Sequence, residues 1–288
     1  MSALVDVVVA IVSGAAFVVA LLVGFIVGAY ARRVVWDRST AAPARSRPTC
    51  GLLLREARAI ARIVSWSFRR RRDDDARGAR DVVVLVHGMA ADGSCMTHWA
   101  RALASLGVRV VAPDHGMWLA PLEVHADRLA TFVGRLVAGA STPPRLHFVG
   151  HSMGGVVVRA MLAACPDVAR LTSSVTTVAT PHAGSAGGRG LPWSRIARLT
   201  TGSPLFASLP SLAALVPDAI RATLGAVDDA VVYPLSTTHD EDDRLAVRHD
   251  VAGIGHASLL VDERVSSFIA GTVGRALSGR VRPPDVDG

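Results

Sequence analysis

The chain has 288 residues, half of them hydrophobic, with three cysteines and a formal net charge of +7. That length holds one good-sized domain plus additional segments, and the widely spaced Cys50, Cys95 and Cys165 give neither a disulfide framework nor a metal-ligand pattern. The charge is local: residues 31–80 carry fourteen arginines against five acidic residues, and from residue 81 onward the chain is close to neutral. With no aromatic-interleaved basic stripe, composition excludes nucleic-acid binding as the role of the whole.

Taken in chain order, residues 7–31 form an uncharged apolar run, "VVVAIVSGAAFVVALLVGFIVGAYA". About 20 such residues cross a hydrocarbon core of roughly 30 Å. No basic residue precedes the run and Arg32-Arg33 follow it, so residues 1–31 are expected to be a retained transmembrane helix rather than a cleaved leader. The basic excess after the span puts the rest of the chain in the cytoplasm of a single-pass protein. Residues 32–80 form an arginine-rich juxtamembrane segment. Within it, Arg55, Arg58, Arg62, Ser65 and Arg69 share one helical stripe opposite Leu53, Ala57, Ile60, Val64 and Phe68. Such a basic amphipathic helix either lies on the membrane surface or packs on the domain that follows, and the membrane is the expected partner. From residue 81 the texture alternates between short apolar runs and helical patterns. "DVVVLV", "VRVVAP", "RLHFVG", "SSVTTVATP", "AVVYPLS" and "RHDVAG" read as six strands. Helices are expected at about 97–106, 123–138, 153–164 and 259–277, giving an α/β fold whose mostly parallel sheet is covered on both faces. The catalytic domain is bounded at 81–279, residues 183–230 are a candidate cap, and 280–288 read as a disordered tail.

One segment carries chemistry. "VGHSMGG" matches G-x-S-x-G directly after a strand and before a helix, the setting of a nucleophile elbow with Ser152 at its tip. Gly150 and Gly154 keep Cβ atoms out of a turn too sharp to hold them. A serine hydroxyl needs a base to take its proton and an acid to orient that base. His256 in "GIGHASLL" follows the last strand amid small residues and is the candidate base. The acid is sought in "STTHDEDD", where Asp240 is the first carboxylate past the strand "AVVYPLS", with Asp242 and Asp243 as alternatives. Two backbone amides should stabilise the oxyanion: Met153, next after the nucleophile, and Met89 in the loop "LVHGM". No metal site is expected.

"VVLVHGM", "VGHSMGG", "VTTVATPHAGS" and "GIGHASLL" together resemble the landmark segments of bacterial α/β-hydrolase-fold lipases and esterases, and "STTHD" is similar to their acid turn. The resemblance spans about residues 81–277. It implies an α/β-hydrolase fold of about six parallel strands, with Ser152 as nucleophile, Asp240 as acid, His256 as base, and Met89 and Met153 as oxyanion donors. The acidic run after Asp240, only 16 positions before His256, departs from the family's pattern. The implied activity is hydrolysis of lipophilic or acyl-lipid esters through an acyl-enzyme, with no cofactor and no nucleic acid. Alternatives are an acyltransferase, thioesterase or amidase using the same triad, or an inert hydrolase-fold membrane protein.

Overall fold

The computed structural model describes residues 2–40, 49–67, 79–116, 120–189, 198–240, 243 and 246–279, with the side chains of residues 2–19 and 22 excepted. The tail at 280–288 lies outside them. Six parallel strands run β1 (Asp81–Val86), β2 (Arg109–Val111), β3 (Arg145–His151), β4 (Thr172–Val178), β5 (Ile220–Ala226) and β6 (Val247–Val251), in the spatial order β2-β1-β3-β4-β5-β6. The order doubles back at β1 and thereafter advances one strand at a time, so β3 lies in the middle with its carboxyl end at the sheet's upper edge. That edge is where open α/β sheets put their sites.

Both faces of the sheet are covered because alternate residues of each strand point oppositely. Val82, Val84, Leu146 and Phe148 meet Leu129 and Val133 of α4 (Leu122–Ala138) and Val157 and Met161 of α5 (Met153–Ala164). Val83, Leu85 and Val149 meet Trp99 and Leu103 of α3 (Thr97–Ala104) and Val265, Ile269 and Val273 of the C-terminal helix Glu263–Leu277. Each of these side chains is almost wholly buried, contributing about 1.5–3 kcal/mol apiece before chain entropy is counted. Trp99 also donates its indole N–H to Leu259 O at 3.2 Å, tying α3 to the loop that carries His256.

The fifth strand differs from expectation. Residues 230–234 are a loop that leads into a single 3-10 turn at Leu235–Thr238, and the strand beside β4 is Ile220–Ala226. In the loop the amides of Val231 and Val232 bond Asp229 Oδ1, that of Tyr233 bonds Ser185 Oγ, and Pro234 has none to offer. None of the four is left to make a ladder. The candidate cap at 183–230 is thereby shortened: its last part is core strand, and Leu212 and Val216 sit in the main core.

The N-terminal segment also departs from expectation. A single helix, α1, runs Ser2–Ser39, followed by α2, Cys50–Ser67. Among the described residues no helix is long and apolar enough to cross a membrane. The last residues of the expected span, Ile26, Ala29 and Tyr30, are buried with Leu52 and Ile60 of α2 and Ala230. The α2 surface predicted to lie on a membrane instead faces protein. Leu52, Glu56, Ala59, Ile60 and Trp66 are buried, while Arg55, Arg58 and Arg62 stay outside. Arg69 and Phe68 of the predicted stripe lie outside the described residues.

Candidate active site

Strand β3 ends at His151 and α5 begins at Met153, leaving Ser152 alone to make the turn with φ 54° and ψ −127°. A side chain at that φ costs on the order of 1–3 kcal/mol, which the surrounding backbone imposes. A Cβ on Gly150 would lie 2.5 Å from Gly155 Cα, and one on Gly154 would lie 2.5 Å from His87 O and closer still to Val86 O. Ser152 N donates to Val178 O at 2.8 Å, fixing the elbow to β4. The glycines expected at the elbow are thus required by close backbone approach.

Ser152 Oγ lies 3.0 Å from His256 Nε2, and His256 Nδ1 lies 2.7 Å from Asp229 Oδ2. The structure brings Ser152 and His256 together as the sequence implies, but the carboxylate beside the imidazole is Asp229, which replaces Asp240. Asp240 Oδ2 accepts a hydrogen bond from Leu212 N at 2.8 Å, a structural link between the two halves of the 200–240 region. Asp243 is paired with Arg221 in a buried ion pair, and Asp242 lies outside the described residues. The error follows from the strand assignment. The first carboxylates past the true end of β5 are Asp228 and Asp229, in "GAVDDAVVYP". Applied to Ile220–Ala226, the same rule would have chosen this pair. Asp229 has no exposed surface, and its second oxygen, Oδ1, accepts from Val231 N at 2.7 Å and Val232 N at 2.9 Å. Asp228 points elsewhere, its Oδ2 accepting from Gly253 N at 2.6 Å.

Burial by itself would lower the pKa of His256, but the charge and hydrogen bond of Asp229, with a further contribution from the Glu56 carboxylate, outweigh it and leave the pKa raised. The other histidines near the site go the other way. His151, 4.7 Å from the His256 ring, is held well below the usual range by burial and by the neighbouring imidazole. Burial and Arg159 push His182 down to about 3, and its Nε2 is engaged with Thr177 Oγ1 at 2.9 Å. His87 and His115 stack at 3.9 Å, both lowered chiefly by burial. Among the described residues, only His256 meets Ser152 Oγ with a carboxylate behind it.

Met89 and Met153, the expected oxyanion donors, both line the pocket that opens at Ser152. Met153 is the first residue of α5, so its amide stands at the positive end of a 12-residue helix. The pocket encloses about 520 Å³ with its open side included, and is lined by Leu199, Val231, Val232, Ser185, Gly187 and Pro181. Its far wall comes from α1: Phe25, Ala29 and Arg32. Neither that wall nor Asp229 was foreseen. Among the described residues no group of three or more His, Cys, Asp or Glu side chains could hold a metal ion.

The sequence profile of the alpha/beta hydrolase family matches residues 83–280. An alignment of 126 positions, covering 39% of this chain and 36% of the other, gives 29% identity to a triacylglycerol lipase of Pseudarthrobacter phenanthrenivorans. A triacylglycerol lipase of Burkholderia plantarii matches at 29% over 126 residues, covering 32% of it. The chain thus spans about a third of the curated relatives it matches. Among solved structures, Aspergillus fumigatus lipase B superposes with a TM-score of 0.57 at 16% identity, over 74% of this chain and 59% of that one. Est1E from Butyrivibrio proteoclasticus superposes at 0.53 and 12% identity, over 71% and 91%. At such identities the likeness is one of fold. With the profile covering more than half of its length, this chain belongs to the alpha/beta hydrolase family.

Proposed function

We propose that the protein is a serine hydrolase of carboxylic esters in which Ser152, His256 and Asp229 form the catalytic triad. The single observation that carries this reading is the hydrogen-bonded line from Asp229 Oδ2 through both nitrogens of His256 to Ser152 Oγ. In this mechanism Ser152 Oγ attacks the ester carbonyl as His256 Nε2 takes its proton, and the Met89 and Met153 amides receive the oxyanion. The tetrahedral intermediate collapses, expelling the alcohol with the proton from His256. A water molecule, deprotonated by the same nitrogen, then attacks the acyl-enzyme and releases the acid. Asp229 holds the imidazole through Nδ1 and stabilises the imidazolium.

A lipophilic acyl group is the substrate class that the pocket favours, because its walls beyond Ser152 are mainly Phe25, Met89, Leu199, Val231 and Val232. The triacylglycerol lipase relatives support the same class. Retention at the cell membrane is supported by the uncharged apolar run at residues 7–24, which precedes the part of α1 that packs on the domain. Arginine follows that run and none precedes it, which favours a cytoplasmic catalytic domain. Labelling by a fluorophosphonate, abolished in Ser152→Ala, tests the nucleophile. Comparing turnover of short- and long-chain p-nitrophenyl esters tests the acyl preference, and indifference to chain length would remove it. Protease accessibility in intact cells tests the topology, and cleavage from outside would reverse it.

A further inference from the structure

Residues 1–80 precede the segment matched by the family profile, yet α1 and α2 reach the loops that hold the acid and the base. The carboxylate of Glu56, on α2, has no exposed surface. Its Oε2 accepts from Ala257 N at 3.0 Å, and its Oε1 accepts from Ser258 N at 2.8 Å and from the Ser258 hydroxyl. Ser258 Oγ in turn accepts from Gly255 N at 3.0 Å. The residues on both sides of His256 are therefore tied to one side chain from outside the hydrolase core. The small residue at 255 is required by the packing of both N-terminal helices, since a Cβ there would lie 2.7 Å from Glu56 Cδ and closer still to the Tyr30 hydroxyl. A carboxylate is not placed in a core without cause: isolating the charge from water is costly unless donors surround it. Here the three donors all belong to the loop of the base.

We propose that Glu56 is a positioning residue for His256, an inference that rests on the triad reading above. It fixes the imidazole's loop so that Nε2 meets Ser152 Oγ, and its charge favours the imidazolium that forms when Ser152 gives up its proton. The groups facing His256 come from several elements. Asp229 lies on its Nδ1 side, with Ser152 and His151 from the elbow and Glu56 from α2. Around them, Tyr30 of α1 donates to Asp228 O at 2.9 Å, Arg33 of α1 donates to Asp229 O, and Arg55 of α2 donates to Gly253 O at 2.5 Å. Asp228 is engaged with Gly253 N. Glu56 and Asp229 are the two carboxylates that raise the His256 pKa, against the opposing effect of burial.

The test is the pH profile of full-length protein hydrolysing p-nitrophenyl butyrate, with fluorophosphonate labelling to count active sites and a thermal melt to establish folding. Glu56→Gln keeps the shape, removes the charge and turns one acceptor into a donor against an amide. The acidic limb of kcat/KM is expected to move to lower pH, and the plateau to fall about 10- to 100-fold through displacement of the base. Glu56→Asp retains the charge on a shorter stem, so it should return the limb toward the wild-type position while leaving the plateau lowered. A folded Glu56→Gln with wild-type limb and plateau overturns the proposal, as does an identical limb shift in Glu56→Asp. If Glu56→Gln does not fold, a wild-type plateau in Glu56→Asp overturns it equally. Activity that survives in Ser152→Ala would sink the triad itself. A dead Ser152→Ala beside an unaffected Glu56→Gln would sink only the role of Glu56.

Discussion

Replacing Asp229 with asparagine separates the two tasks of one carboxylate. Oδ1 holds the amides of Val231 and Val232, and Oδ2 meets His256 Nδ1. Asparagine has one carbonyl oxygen. Keeping that oxygen on the two amides, which preserves the loop, leaves the NH2 group facing Nδ1. An amide nitrogen can only donate, so Nδ1 becomes an acceptor and the imidazole proton moves to Nε2, the nitrogen facing Ser152. The base then holds a proton where it should receive one. A triad with the wrong tautomer loses about 10⁴-fold in kcat, or about 5.5 kcal/mol of barrier. Asp240→Asn is the control. Among the described residues its side chain accepts from Leu212 N, an asparagine oxygen can accept that bond, and turnover should stay within about twofold of wild type. Initial rates on p-nitrophenyl butyrate, normalised to folded protein by thermal melt, decide the matter. The reasoning fails if Asp229→Asn retains more than about a tenth of wild-type turnover. It fails equally if a folded Asp240→Asn loses about a thousandfold.

Gly154→Ala puts a methyl against Val86 O and His87 O; overpacking of this kind costs about 1–3 kcal/mol, read as a lowered melting temperature with loss of fluorophosphonate labelling. Activity should rise with pH through the raised pKa of His256, because only the neutral imidazole accepts the Ser152 proton. Stability from the His256–Asp229 pair has the opposite slope. It is fully present below the unfolded histidine pKa of about 6.5 and lost as pH rises through the raised folded value. The melting-temperature difference between wild type and His256→Ala should therefore shrink across the pH range in which activity appears. Taking a difference matters, because His115 and His182, pushed down to about 3, destabilise the fold as pH falls and would mask the trend. Phe25→Ala removes part of the pocket wall supplied by α1. The KM for a long-chain p-nitrophenyl ester should rise about tenfold, with the short-chain value changed less than about twofold.

The sheet and the elbow at Ser152 were legible because their signals are local. Apolar runs such as "DVVVLV" and "LHFV" are short, rich in β-branched residues and followed by turn residues, which marks them as buried strands, and the elbow is fixed by steric limits that glycine alone meets. His256 was found from its small neighbours at the end of β6, and the structure sets its Nε2 3.0 Å from Ser152 Oγ. Strand β5 was hidden by its composition. "IRATLGA" contains an arginine, two alanines and a glycine, and it forms a strand because its environment completes it. Arg221 is buried with Asp243, and its Nη1 donates to the carbonyls of Val216, Pro217 and Ala219 at 2.8–2.9 Å. None of these partners can be inferred from a window of seven residues. "AVVYP" gives the stronger local signal and is a loop because Asp229 and Ser185 take its amides. The acid was misassigned for that one reason, since chain order constrained only that it fall between Ser152 and His256. The inward face of α2 was misread because Glu56 sits among its apolar residues, and hydropathy counts a buried carboxylate as solvent-facing.

Composition draws a boundary near residue 80, where arginine gives way to alternating strands and helices, but the forces that hold the triad cross it. Arg33 is buried, bonded to Asp229 O and to Asp37, with its guanidinium 5.0 Å from the Tyr233 ring centroid. Tyr30 is buried on Asp228 O. Removing α1 would leave those carbonyls and the apolar patch around Ala230 facing water at the loop that orients the base. Helical spacing lets one helix do two things. Phe25, Ala29 and Arg32 recur at i, i+4 and i+7 and line the pocket, while Ile26, Tyr30 and Arg33 follow the same spacing one residue later and grip the acid loop. The two faces cannot move independently. A rotation or axial shift of α1 large enough to widen the pocket for a bulkier acyl chain also pulls on Asp228 and Asp229. If Ser152, His256 and Asp229 form the catalytic triad, substrate access and the orientation of His256 are thereby coupled through α1.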